Sequence, residues 1–166
     1  MIIVGDSVED AQAKRLKLDS GVHYDSGIAS LSIALGTDAS GFDPDGPLPE
    51  DMPATNASHT ARESVERLAK AEGLTVRQLA QRLGGYSGLA FVGTPESIAD
   101  EMGTWLEEGG CDGFTVVMPF LPQGLNDVAD RLVPELQRRG LFRKEYEGTT
   151  LREHLGLPRP KNKFFE

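Results

Sequence analysis

The stretch Phe91–Pro119, FVGTPESIADEMGTWLEEGGCDGFTVVMP, reads as a short strand, a capped helix, a glycine turn and a second strand. Phe91 and Val92 end the first strand, and Gly93 makes the turn. Thr94 is a good N-cap, Pro95 fits the first helical position, and Glu96 sets negative charge at the positive end of the helix dipole. Ile98, Met102, Trp105 and Leu106 recur at i, i+4, i+7 and i+8, which predicts one buried face with Trp105 in the core. Gly109 and Gly110 stop the helix. Gly113–Met118 is a continuous apolar run of strand length, the pattern of a strand covered on both faces. The unit is βαβ, and the fold class is α/β.

Upstream, Ile2–Val4 is a β-branched run that predicts the end of a strand. Ser7 with Asp10 starts a helix over about residues 8–18, whose thin apolar face (Val8, Ala11, Leu18) predicts a surface position. Ser26 caps a second helix through Leu35, with Ile28, Leu31 and Leu35 as its stripe and Gly36 as its end. Residues 36–59 then carry four prolines and three glycines, a loop of a length usually functional or disordered. Its DPDG does not fit a calcium loop: with Gly46 in the sixth place, Gly41 and Met52 would fall at ligand positions. Asn56-Ala57-Ser58 has glycosylation spacing, but nothing else in the chain indicates secretion.

Two helices follow. Thr60 or Ser58 caps the first, which turns Val65, Leu68 and Ala69 inward and ends at Gly73. Thr75 and Gln78 form a capping box for the second, with Val76, Leu79, Ala80 and Leu83 inward. Gly84, Gly85 and Gly88 break the chain before Phe91, without the spacing of a phosphate loop. Beyond Met118, a helix from about Leu125 has Leu125, Val128, Ala129, Leu132, Val133 and Leu136 on one face, and Pro134 should kink or end it. The tail from 139 to 166 has one helical turn after Thr150, and its last residues, PRPKNKFFE, are expected to be mobile.

Composition narrows the function. The chain has 166 residues, 39% hydrophobic and 26% charged, with a net charge of −9 and one cysteine. Such composition is globular, and the charge opposes nucleic-acid or anionic-membrane binding. Cys111 alone permits no internal disulfide. No apolar run reaches the roughly 18 residues of a membrane helix, and no signal peptide is evident, so the expected location is cytoplasmic. His23, His59 and His154 are scattered without ligand-spaced partners, so no catalytic residue and no metal site is assigned. A helix-turn-helix is the sharper alternative for 61–84, where Arg62, Arg67, Lys70, Arg77 and Arg82 stand against Glu63, Glu66 and Glu72. A DNA reader needs free phosphate-binding cations around its second helix, and the acidic surroundings argue against it.

GTPESIADEMGTWLEEGGCDGFTVVMPFLPQGL and VPELQRRGLFRKEYEGTTLREHLGL closely resemble the C-terminal part of the nitrilotriacetate and dibenzothiophene-sulfone monooxygenases, FMN-dependent enzymes of the bacterial luciferase superfamily. GDSVEDAQAKRLKLD, the SGFDPDGPLPEDMPATNASH loop and LTVRQLAQRL extend the resemblance over nearly the whole chain. It implies the C-terminal fragment of a (β/α)8 TIM barrel, mostly helical with two to three short strands. Residues 1–36 would supply a strand end and helices, 37–59 an insertion loop, 60–84 a helical hairpin, 89–138 strand–helix–strand–helix, and 139–166 the tail. Ile2–Val4 and Gly113–Met118 would be the seventh and eighth strands. A complete barrel needs at least about 200 residues, and the Gly-Ser-Ser loop that holds the FMN phosphate in the family has no counterpart here.

The implied activity is oxygenation of a small organic substrate with O2 and reduced FMN from a separate flavin reductase. The segment is expected to be inactive alone, with no FMN-binding residue assigned. It could act as a complementing subunit beside an N-terminal half, or in a homo-oligomer. Because barrel chemistry sits at the C-terminal ends of strands, Met118, Pro119 and Phe120 are substrate-pocket candidates, and Asn56 and His59 of the insertion are candidates for a lid.

Overall fold

A computed structural model describes residues 1–86 and 88–164. Two strands, β1 (Ile2–Val4) and β2 (Phe91–Gly93), pair in parallel with Ile2 opposite Phe91 and Val4 opposite Gly93. Gly93 is thus the last strand residue and not the turn. Helices α1 (Val8–Ser20), α2 (Tyr24–Leu35), α3 (His59–Glu72) and α4 (Val76–Gly85) lie between the strands in sequence. After β2 come α5 (Pro95–Glu107), α6 (Gln123–Asp127), α7 (Val133–Arg138) and the single turn α8 (Leu151–His154). The described residues are mostly helical with few strands.

Caps fall where local chemistry puts them. Thr94 accepts from the Ser97 amide, and Thr75 with Gln78 and Thr150 with Glu153 form reciprocal boxes. Gly36 and Gly73 close α2 and α3 with left-handed backbone. No ladder or helix organises residues 36–58. Within them Asp43 and Gly46 make a turn through one backbone bond.

There are two hydrophobic clusters. One joins Ile2, Val4 and Phe91 of the strands to Ile98 and Met102 of α5 and to Leu132 and Leu136. The other is helical: Leu31 and Leu35 of α2 pack with Val65, Val76, Leu79 and Ala80. Helix α1 spans them with an unusual buried face, Ala11, Arg15 and Asp19. The thin apolar face of Val8, Ala11 and Leu18 predicts a surface helix; the face that is buried shares only Ala11 with it, and it is tolerated because Arg15 and Asp19 satisfy each other. Arg15 Nε lies 2.9 Å from both Asp19 oxygens, and Nη2 donates to the Tyr86 carbonyl at 3.1 Å.

Several expectations are corrected. Gly113–Met118 is not a strand covered on both faces. Phe114 and Val116 face the first cluster, while Thr115 and Val117 are exposed. One bond, Ile2 N–H to the Val117 carbonyl at 3.0 Å, ties the run to β1. The next amide of a parallel ladder would be that of residue 119, and Pro119 has no N–H to donate; the Val4 carbonyl beyond it is taken by Lys14 Nζ at 3.0 Å. Helix α2 begins at Tyr24, ahead of Ser26, since the Gly27 amide reaches the His23 carbonyl at 3.0 Å.

Gly84 and Gly85 continue α4. They are small because α2 crosses there: a methyl group on Gly84 would come within 2.7 Å of the Gly27 Cα. Trp105 is not core; it is 38% exposed and covers Gly110. The last long helix starts at Gln123 and passes Pro134 without ending. A π-helical turn, Val128–Leu132, precedes the proline and absorbs its missing amide and bulky ring. Leu125 and Ala129 are consequently exposed and Asp127 is buried. The expected mobility of the final residues concerns in part 165–166, which lie outside the described residues.

Candidate functional site

Parallel pairing directs the C-terminal ends of β1 and β2 to the same side. Asp6 follows β1, and Thr94, Pro95 and Glu96 follow β2. With Arg131, Glu135 and Arg138 they line a cavity of about 450 Å³. Arg131 reaches across from the π turn. It donates to the Gly5 carbonyl at 3.0 Å and lies 2.9 Å from Asp6 and 3.3 Å from Asp127. Gln123 also holds Asp127, at 3.1 Å. Arg139 pairs with Asp100 and donates to the Glu96 carbonyl at 3.1 Å, fixing the entry of α5. These residues brace the strand ends against the last helix.

Glu135 sits between Arg138 and Arg139, whose guanidinium groups lie 2.6 Å from its carboxylate. Arg138 first, then Arg139, pulls its pKa from 4.5 down to about 2. A depressed carboxyl stabilises the fold fully above about pH 4.5, and this contribution disappears as pH falls towards 2. The thermal midpoint of Glu135→Gln should therefore lie below wild type at pH 7 and converge with it only as the pH falls to about 2 and below. A gap that persists at low pH would show that something other than the charge is responsible.

A second groove of about 190 Å³ lies along β1, between Ile2–Val4, Lys14, Lys17, Phe120 and Gln123. Phe114 and Val116 lie beside Met1 and Phe91, and Phe120 lies beside Ile2–Val4. The 113–118 run therefore travels in the same direction as β1. Met118, Pro119 and Phe120 are half-buried at its far end, and Gly124 lets the chain turn close to Met118 and Phe120. Asn56 and His59 are both exposed; His59 opens α3, which packs into the helical cluster. The two groups of candidates therefore stand on different clusters.

Arg131 escapes an apolar reading of the sequence. The signal that finds it is the alternating charge of Asp127, Arg131, Glu135 and Arg139 at every fourth position. The helix-turn-helix alternative loses three of its five cations. Arg62 pairs with Glu66, Arg77 with Asp45 and Arg82 with Glu72, and α4 turns Leu79 and Ala80 into the core. Among the described residues no His, Cys, Asp and Glu cluster could hold a metal ion, and no helix is long and apolar enough to cross a membrane.

No protein-family model matches the chain. It is similar to proteins named as monooxygenases, among them those of nitrilotriacetate, dibenzothiophene sulfone and dimethyl sulfide. Nitrilotriacetate monooxygenase component A of Aminobacter aminovorans is 48% identical over 164 residues, taking in 98% of this chain and 36% of that protein. The crystal structure of DmoA from Hyphomicrobium sulfonivorans matches with a TM-score of 0.73 at 33% identity, over 93% of this chain and 32% of that one. A riboflavin lyase (RcaE), solved with modified FMN and riboflavin, matches at 0.59 and 30% identity over 93% and 33%. The chain spans about a third of the length of the relatives it matches.

Proposed function

We propose that this chain is the C-terminal portion of a luciferase-like (β/α)8 barrel and forms one wall of a reduced-FMN monooxygenase centre. The supporting observation is directional. β1, β2 and the 113–118 run all point the same way, and barrel enzymes hold their chemistry at that end of the strands. Two paired strands cannot close a barrel, and relatives about three times as long carry the remainder. Reduced FMN, delivered by a separate reductase, supplies the activation of O2 in the complete enzyme. Met118, Pro119 and Phe120 border the substrate, and Asn56 and His59 belong to a lid formed by the insertion.

The strand-end cavity does not fit the flavin phosphate. Its carboxylates Asp6, Glu96 and Glu135 outnumber Arg131 and Arg138, and both arginines already hold carboxylates. A dianion there would meet net negative charge. The phosphate site is therefore not this cavity.

The expected result is that the purified 166-residue chain neither binds reduced FMN nor oxygenates substrate when a reductase is added. Anaerobic calorimetric titration reads the first, and product analysis the second. Co-expression with a polypeptide carrying the missing strands should yield a complex that does both. Stoichiometric binding of reduced FMN by the chain alone would overturn the proposal.

A further inference from the structure

We infer that the C-terminal tail of one copy of this chain docks in a groove beneath the acidic loop of a second copy. The groove, about 750 Å³, runs between Pro47, Leu48 and Met52 of the loop and Leu74 of the α3–α4 turn. Asp45, Glu50, Glu66 and Lys70 also line it; Arg77 holds Asp45 and Arg62 holds Glu66, so Glu50 and the neighbouring Asp51 are the acidic groups that a basic segment would meet. Residues 36–58 carry Asp38, Asp43, Asp45, Glu50 and Asp51 and no lysine or arginine. The loop is thus a block of one sign around an apolar trough.

The tail has the complementary character. Up to Gly140 the chain has eleven basic and twenty-two acidic residues, whereas Arg152, Arg159, Lys161 and Lys163 face only Glu153 between 152 and 164. Its apolar side chains are out in solvent: Leu151 is 73% exposed and Phe164 91%, and Leu155 and Leu157 are also exposed. Apolar groups gathered on one exposed segment mark an interaction surface more often than isolated ones do. Pro158 and Pro160 fix their backbone φ, so the segment loses less entropy when it is immobilised. The described tail residues do not line their own chain's groove, and it is the tail's positive charge against the loop's carboxylates that selects a second copy as the occupant. Docking needs neither flavin nor a completed barrel, and its outcome is independent of the proposed activity.

Sedimentation velocity of the full chain across the micromolar range should show a concentration-dependent dimer that weakens with added salt. Reversing the tail (R159E, K161E and K163E together) touches exposed side chains only and should weaken association by at least about 10-fold. Adding Glu50→Arg and Asp51→Arg to that variant should restore it. A chain ending at Gly148, which keeps both hydrophobic clusters, should be monomeric. The inference is overturned by a full chain that stays monomeric, a shortened chain that associates equally well, or loop reversals that fail to rescue the tail variant.

Discussion

Replacing Arg15 with methionine is expected to destabilise the fold by about 3–5 kcal/mol, the usual cost of removing one partner from a buried ion pair. Only 11% of the Asp19 side chain is exposed, and both of its oxygens are held by Arg15 Nε. Methionine retains the bulk of the arginine stem but leaves that carboxylate without a donor. It also releases the Tyr86 carbonyl, and with it the tie between α1 and the end of α4. The double variant Arg15→Met, Asp19→Leu should recover most of the loss, because apolar pairs of similar volume commonly replace buried ion pairs at little cost. Urea unfolding of the two variants at neutral pH separates the explanations. If the double variant is as unstable as the single one, packing of the arginine stem and not the orphaned charge sets the cost.

Gly27→Ala should cost up to about 3 kcal/mol, the upper part of the range for overpacking a tight interior. A Cβ at this position would stand 2.4 Å from the Ala80 carbonyl oxygen and 2.6 Å from its carbon. Both are backbone atoms of α4, so no side-chain rotation relieves the clash and the two helices must separate. That separation reaches Leu31 and Leu79, which are fully buried in the same cluster. Alanine is the better helix former by up to about 1 kcal/mol, so a loss runs against intrinsic propensity and isolates the packing term. An unchanged denaturation midpoint would mean that α2 and α4 are less closely apposed than the structure has them.

The parts of this molecule that sequence reveals are those settled within one helical turn. Thr94, Thr75 with Gln78, and Thr150 with Glu153 act on amides three residues away, so their roles are visible in any short window. The parts that escape depend on distant segments. Gly84 resembles a helix breaker until Gly27 of α2 is known to lie against it. The apolar run 113–118 has the composition of a doubly covered strand, yet no layer covers Thr115 and Val117, and Pro119 has no amide with which its ladder could continue. The candidate site divides in the same way. Its strand-end position follows from the order of strands and helices. Arg131, which ties the loop after β1 to the last helix, is found by contacts more than 120 residues apart in sequence.

Lys14 has a consequence for the behaviour of the chain in solution. Its bond occupies the Val4 carbonyl beyond the point where the 113–118 run meets β1, so an extended segment of another molecule finds one acceptor fewer there. The ammonium also sets a charge beside Ile2–Val4, one of the most water-averse stretches of the chain. A lysine there and a strand of only three residues are both devices by which sheet edges resist pairing with other chains.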